Sequence, residues 1–300
     1  MNKTLKNTLQ AGLAFLMAGS LAACQSGNAT DSTSASGTST NSGKIAVLSR
    51  EDGSGTRSAF VELFGLEEDG VDQTRADAEI TNSTAVMMTT VGQNPAAIGY
   101  ISLGSLDDSV KAVAIDGTEP SVENVQSGAY TVSRPFLIAQ KEESDNPLLE
   151  DFKAYILSES GQDVIREAGY VPVEVQGTYE PADLEGELVV GGSSSVTPVM
   201  EKLAEAYQKE NPNAQISVMQ TDSTTGASGT VDGMYDLGML SRELKPEEES
   251  QGLKSTVIAT DGIAVIVNPS NTVDSLSVDQ VKAIYTGQTG SWDELIAAKQ

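Results

Sequence analysis

The stretch Arg50-Glu51-Asp52-Gly53-Ser54-Gly55-Thr56 packs a guanidinium, two carboxylates, two glycines and two hydroxyls into seven positions, between an apolar run and an amphipathic one. Residues of these types suit the capture of negative charge. Glycine lets backbone approach a ligand closely, hydroxyls donate hydrogen bonds, and a helix opening at such a loop presents free N–H groups with a partial positive charge. Two further segments repeat this chemistry, "GGSSSVTP" from Gly191 to Pro198 and "QTDSTTGASGTVDG" from Gln220 to Gly233. One such loop is ordinarily a turn or a cap; three together would surround one anion with donors. No Gly-Lys-Ser/Thr follows any of them, which disfavours nucleotide hydrolysis.

The chain has no histidine and one cysteine, Cys24, so no Ser-His-Asp or Cys-His relay, Cys/His zinc cluster or internal disulfide can be assembled. A serine nucleophile with Lys254 or Lys299 as base is the hydrolase alternative, and no nucleophile elbow supports it. The layout points to binding without chemistry and without a cofactor or metal.

The elements that must hold these loops are short β-branched runs alternating with helical periods, the pattern of parallel α/β units. Strands are expected at 44–48, 98–102, 110–115, 132–139, 188–191, 215–220 and 263–267, and helices at 56–64, 83–91, 147–169, 197–209, 226–233 and 278–285. The polar stretch from Val175 to Glu187 reads as a connector between two halves that open alike, each with a strand, a Gly/Ser/Thr loop and a helix. Met87, Met88 and Trp292 read as packing. Asn82, Ser83 and Thr84 read as a helix cap that also stands within reach of a ligand, and "KPEEES" as a solvated face.

Lys3 and Lys6 followed by the small apolar run from Ala11 to Cys24 form a secretory signal rather than a membrane span. Residues 25–43 carry one charge and almost no apolar bulk, a flexible tether. The formal net charge of −25 disfavours nucleic acid, whose phosphates demand basic patches. It does not exclude a small anion. Screening confines bulk charge to roughly 8–10 Å at physiological salt, and several hydrogen bonds to a charged group, each worth about 1.5–3 kcal/mol net, exceed the roughly 8.2 kcal/mol of a micromolar complex.

The segments "SREDGSGTRSAF", "GSSSVTPVMEKLAEAY", "STTGASGTVDGMYDLGMLSREL", "AIGYISLGSL" and "DGIAVIVNPSN", spread over nearly all of residues 44–300, resemble the phosphate-binding lipoproteins of bacterial phosphate ABC transporters. That resemblance implies an α/β, two-lobed periplasmic-binding-protein-like fold of type II with the ligand in the cleft between lobes. It implies Arg50 as ligand arginine, with donors from Ser54, Gly55 and Thr56, from Ser194, Ser195 and Val196, and from Thr224 and Thr225. Ser241 falls where many relatives have an aspartate, which leaves discrimination between phosphate and other oxyanions open. Asp52 would orient Arg50. Leu21-Ala22-Ala23-Cys24 resembles a lipobox, implying cleavage of residues 1–23, lipidation of Cys24 and an extracytoplasmic, membrane-anchored chain. The implied partners are inorganic phosphate and an ABC permease, with the chain as a monomer.

The order of segments differs from the family's. "GSSSVTP" comes first there and "SREDGSGT" follows the stretch that here ends the chain, so the two parts supply about one copy in circularly permuted order. One lobe is then 44–131 with 264–300, and the other 132–263, "TVSRPFLIA" and "DGIAVIVNP" being the crossings. A truncated parent or an exchange of halves between two chains is the alternative. For function, the alternatives are a receptor for another oxyanion such as sulfate or a phosphorylated metabolite, and an adhesin or sensor on the same fold.

Overall fold

The strand β1 (Ala46–Arg50) ends on the arginine itself and is buried from Val47 to Arg50. The computed structural model describes residues 43–142 and 146–297; the signal-like run, Cys24, the tether up to residue 42 and Lys299 lie outside them. Both neighbours of β1 are parallel to it, β2 (Glu79–Thr81) and β3 (Ala97–Ser102). The second parallel group has β5 (Gly186–Ser193) between β6 (Ala214–Thr221) and β7 (Leu237–Leu240). Joining the groups are two antiparallel strands, β4 (Ser133–Lys141) and the 15-residue β8 (Leu253–Val267). The path across the sheet is β6-β5-β7-β4-β8-β3-β1-β2. Parallel units are therefore confined to the flanks, and the centre is antiparallel.

Two large apolar clusters lie along this sheet. The first mixes residues from 45–132 with residues from 263–295, among them Phe60, Tyr100, Tyr285 and Trp292. The second is drawn from 136–259, including Phe152, Tyr155, Val199 and Tyr207. Phe60 stacks on Tyr100 with ring centroids 3.9 Å apart and planes 8° from parallel, and both rings are buried. Met87 and Trp292 are buried in core positions, as expected.

Four helices open toward one place. These are α1 (Gly55–Leu63), α2 (Thr84–Gln93), α5 (Thr197–Glu210) and α6 (Ser223–Val231); between α2 and α5 come a short helix, Val122–Gln126, and then α3 (Pro147–Leu157) and α4 (Glu159–Glu167). Side-chain oxygens start three of the four: Ser54 accepts from Arg57 N, Ser83 from Val86 N and Asp222 from Thr225 N, the usual N-cap chemistry. The third Gly/Ser/Thr segment is thus helical from Ser223, three residues before the expected start. The single helix expected over 147–169 is two, because Ser158 ends one and caps the next, donating to Tyr155 O at 2.7 Å and accepting from Gly161 N at 3.3 Å. Of β8, only the last five residues were legible as a strand. In its first half the residues from Lys254 to Val257 are exposed or half-buried in succession, so neither alternation nor a continuous apolar run marks it as a strand.

The first and last described segments meet. Ile45 N–H donates to Gly290 O at 2.8 Å and Trp292 N–H to Gly43 O at 3.1 Å, around a bridge between Lys44 and Ser291.

Candidate functional site

Tyr100 fixes the end of β1. Its hydroxyl lies 2.9 Å from Ser49 Oγ and accepts the Arg50 N–H at 3.1 Å, so the aromatic core sets where the arginine leaves the sheet. Burial pushes the Tyr100 hydroxyl up to about 12, which keeps it a neutral donor and acceptor. Arg50 is 1% exposed. Its Nε and Nη2 donate to the two oxygens of Glu51 at 2.7 Å each, and Nη2 also reaches Ser194 Oγ at 3.0 Å. Nη1 is buried without a hydrogen-bond partner among the described residues. A buried guanidinium nitrogen left unpaired is costly, and this one belongs to a side chain whose Nη2 already touches a buried hydroxyl.

Those hydroxyls come from separate parts of the chain. Thr56 Oγ1 lies 2.8 Å from Ser195 Oγ, and Thr84 Oγ1 lies 3.4 Å and 3.3 Å from Ser194 and Ser195 Oγ. Ser193 Oγ donates to Ser241 Oγ at 2.9 Å, and Ser223 Oγ lies 3.4 Å from Ser241 Oγ while accepting the Ser241 N–H at 3.1 Å. All are buried. The opening turns of α1, α2 and α6 provide no intrahelical acceptor for their first N–H groups, which adds backbone donors and positive partial charge at the same spot. Gly55 is required by closeness: a Cβ there would press into Ser223 Oγ and stand 2.7 Å from Ser241 Oγ. Gly53, at φ +90°, makes the turn into α1, and its carbonyl accepts from Thr224 N (3.1 Å) and Thr224 Oγ1 (3.2 Å).

Of the residues expected at the site, Arg50, Thr56, Ser194, Ser195 and Ser241 are brought together, and Gly55 packs against Ser223 and Ser241. Ser54 is buried beside them with its hydroxyl committed to the cap of α1. Four expectations are corrected. Asp52 does not orient Arg50: its side chain is 98% exposed and pairs with Arg57 at 2.5 Å, and Glu51 holds Arg50 instead. Val196 has its side chain in the second core and spends its N–H on Ser193 O at 3.0 Å. Thr225 is used up on Asp222, through N at 2.9 Å and Oγ1 at 2.6 Å. Thr224 stands at the rim, between Gly53 O and Arg242, whose Nη2 donates to its hydroxyl at 3.2 Å. The "KPEEES" segment is not wholly solvated either, because Glu248 is buried against Arg242 with contacts of 2.7 and 2.8 Å.

Sequence reasoning missed Ser193 and Ser223, although both lie in the segments it singled out. Ser83 and Thr84, read together as a cap within reach of a ligand, divide the two roles: Ser83 caps α2, and Thr84 joins the hydroxyls. Arg134 and Asp261 were missed altogether. The available signal was a lone arginine and a lone aspartate inside two otherwise apolar runs, "TVSRPFLIA" and "ATDGIAVIV". They form an ion pair with side-chain exposures of 2% and 0%. Burial pushes the Asp261 carboxyl up to about 6 and lowers the Arg134 guanidinium, desolvation outweighing their mutual attraction. A cavity of about 720 Å³ opens beside the cluster, lined by Gly53, Ser54, Arg57, Asp72, Arg242 and Lys245 among others. Lys254 is exposed and paired with Glu142 at 3.7 Å. No group of three or more metal-ligating side chains occurs among the described residues.

Comparison with known proteins places these features in context. A family model described as a PBP superfamily domain matches residues 21–160 and 177–300. The protein "Phosphate-binding protein PstS 2" of Streptococcus agalactiae serotype V is 51% identical over 86% of this chain and 89% of its own length. Its namesake in Streptococcus pneumoniae serotype 4 is 42% identical, with 92% and 94% covered. A crystal structure of a phosphate ABC transporter, phosphate-binding protein, from Streptococcus pneumoniae TIGR4 superposes with a TM-score of 0.67 at 42% identity, over 84% of this chain and 99% of that one.

Proposed function

The chain belongs to the family of phosphate-binding proteins within the PBP superfamily, with its two-lobed type II fold, and from that premise we propose that it binds inorganic phosphate at the Arg50 hydroxyl cluster and hands it to an ABC permease. The observation that carries this reading is the buried Arg50 Nη1 without a partner, set among Thr56, Thr84, Ser194, Ser195 and Ser241. A tetrahedral anion offers acceptors in several directions at once, which matches donors arriving from separate helix starts. The protein performs no reaction. Hydroxyls without a base, one paired arginine and backbone amides bind and release.

The lobes in this reading are 44–131 with 264–300, and 132–263, in circularly permuted order; the division of the two apolar clusters and the pairing of residues 43–45 with 290–292 support it, since adjacent ends make permutation physically cheap. Arg50 and Thr56 then belong to one lobe and Ser194, Ser195 and Ser241 to the other, so a bound anion bridges them and shifts an open-to-closed equilibrium. The chain acts outside the cytoplasm as a monomer, anchored through lipid on Cys24.

Titration calorimetry of the full chain with inorganic phosphate, followed by competition with sulfate and arsenate, tests the reading. One phosphate per chain is expected, with sulfate displacing it poorly. A preference for sulfate would reassign the ligand, and absence of any phosphate heat or thermal shift would remove the proposal.

A further inference from the structure

Arg134 and Asp261 face each other as register partners on β4 and β8, the two strands that join the parallel groups. Arg134 Nε and Nη2 both donate to Asp261 Oδ2, at 3.3 and 3.2 Å, and Nη1 donates to the Ser241 carbonyl at 3.1 Å. The other Asp261 oxygen accepts from Ser102 Oγ at 2.9 Å, and the Gly104 N–H also bonds this carboxylate. A continuous chain therefore runs from Ser102 at the end of β3, through Asp261 and Arg134, to Ser241. Burying two full charges this way is seldom the cheapest route to stability, since apolar residues of the same volume do as well or better.

Ser241 is the residue that gains. Strand pairing of β7 stops at Leu240, one residue earlier. Beyond that point the Ser241 backbone is held by two side chains, Ser223 Oγ on its N–H and Arg134 Nη1 on its carbonyl. Its hydroxyl is where Ser193 and Ser223 converge. The Arg50 charge also acts on Arg134, so the pair lies within electrostatic reach of whatever Arg50 binds.

Resting on the phosphate-binding reading above, we propose that Arg134, aimed by Asp261, is a positioning residue of the anion site that fixes Ser241 and ties the site to the strands joining the two halves. It acts through Ser241 and does not touch the anion. Because Asp261 works only by aiming Arg134, the effects of removing them overlap instead of adding.

The test is calorimetric titration of inorganic phosphate into the full chain, wild type beside Arg134→Met, Arg134→Lys, Asp261→Asn and the double variant Arg134→Met/Asp261→Asn, with thermal unfolding of each. Arg134→Met is expected to weaken phosphate by about tenfold or more, about 1.4 kcal/mol. Asp261→Asn should weaken it in the same direction, the double variant should be no weaker than Arg134→Met, and Arg134→Lys should recover part of the loss. Should Arg134→Met fail to fold, the double variant, which leaves no unpaired buried charge, carries the same expectation. A folded Arg134→Met or double variant that binds phosphate within twofold of wild type, whatever its melting temperature, overturns the proposal, as do losses that add. A wild type that binds no phosphate overturns the functional reading itself.

Discussion

Replacing Arg50 by Met separates a ligand arginine from a structural one, because the structure gives different magnitudes for the two. The side chain is 1% exposed, but its partner Glu51 keeps 20% exposure, so the orphaned carboxylate can hydrate. Losing the paired contacts to Glu51 and Ser194 should cost about 1–3 kcal/mol of unfolding free energy. The unpartnered Nη1 makes no contribution to that figure. It does contribute to binding, where one charge-assisted bond of about 1.5–3 kcal/mol corresponds to a tenfold to somewhat over hundredfold loss of affinity. At a phosphate concentration about 1,000 times the wild-type Kd, ligand stabilises the native state by about 4.1 kcal/mol; a hundredfold weaker variant at that concentration gains only about 1.4 kcal/mol. Thermal unfolding with and without phosphate reads this difference directly, and calorimetry gives Kd. If Arg50→Met lowers the melting temperature yet keeps both Kd and the phosphate-induced shift within about threefold of wild type, Arg50 is a core ion pair and the site lies elsewhere. Arg50→Lys retains charge without the fork and should fall between.

Three other outcomes follow from particular contacts. Thr84→Val should weaken phosphate by about 1 kcal/mol, roughly fivefold, whereas Thr225→Val should leave Kd within twofold and only trim stability, because its hydroxyl serves Asp222; equal effects in calorimetry would contradict the division. Gly55→Ala inserts a methyl against Ser223 and Ser241, so phosphate affinity should drop about tenfold or more with the fold retained; unchanged affinity with normal far-UV dichroism would show that these segments need not approach. Burial pushes Asp261 up to about 6 from 3.8, so the native chain holds a proton that the unfolded chain releases between those values. The stability from this group is present below about pH 4 and is lost as pH rises through about 6, on the order of 3 kcal/mol. Asp72 and Glu248, whose carboxyls are held below their ordinary values, slope the other way and are common to wild type and Asp261→Asn. Urea midpoints of wild type and Asp261→Asn across pH 4–7 should therefore diverge; parallel curves would reject the assignment.

The loops were legible because their composition is local. Glycine, serine and threonine after an apolar run announce a turn into a helix, and Arg50 stands out in a chain otherwise rich in acids. Which hydroxyl faces which partner was not legible, since that depends on tertiary placement. Thr225 and Thr56 look alike in sequence, yet one is spent on Asp222 and the other reaches Ser195 across 139 positions of chain. Glu51 and Asp52 are both plausible partners for Arg50, and only the direction of the backbone as it leaves β1 assigns one to Arg50 and the other to Arg57. Ser158 hides a break in what reads as one amphipathic period. Arg134 and Asp261 escaped because a charge inside an apolar strand has no meaning until its counter-charge, 127 residues away, is seen beside it.

The 15-residue β8 bears on how the molecule would come apart. At about 3.3 Å per residue it extends roughly 50 Å, pairing with β4 over one stretch and β3 over the other. Between Pro172 and Gly186 the chain has neither helix nor strand; Val173, Gln176 and Gly177 are tied down by hydrogen bonds, but the largely exposed stretch after Tyr179 is where a protease would find its natural cut. Severing that stretch would yield two pieces that each own parts of both apolar clusters, since residues before the cut fill 45–170 and those after it fill 188–295. Neither piece carries a complete interior by itself. A nicked molecule would stay clasped, and the separated fragments would regain phosphate binding only when mixed.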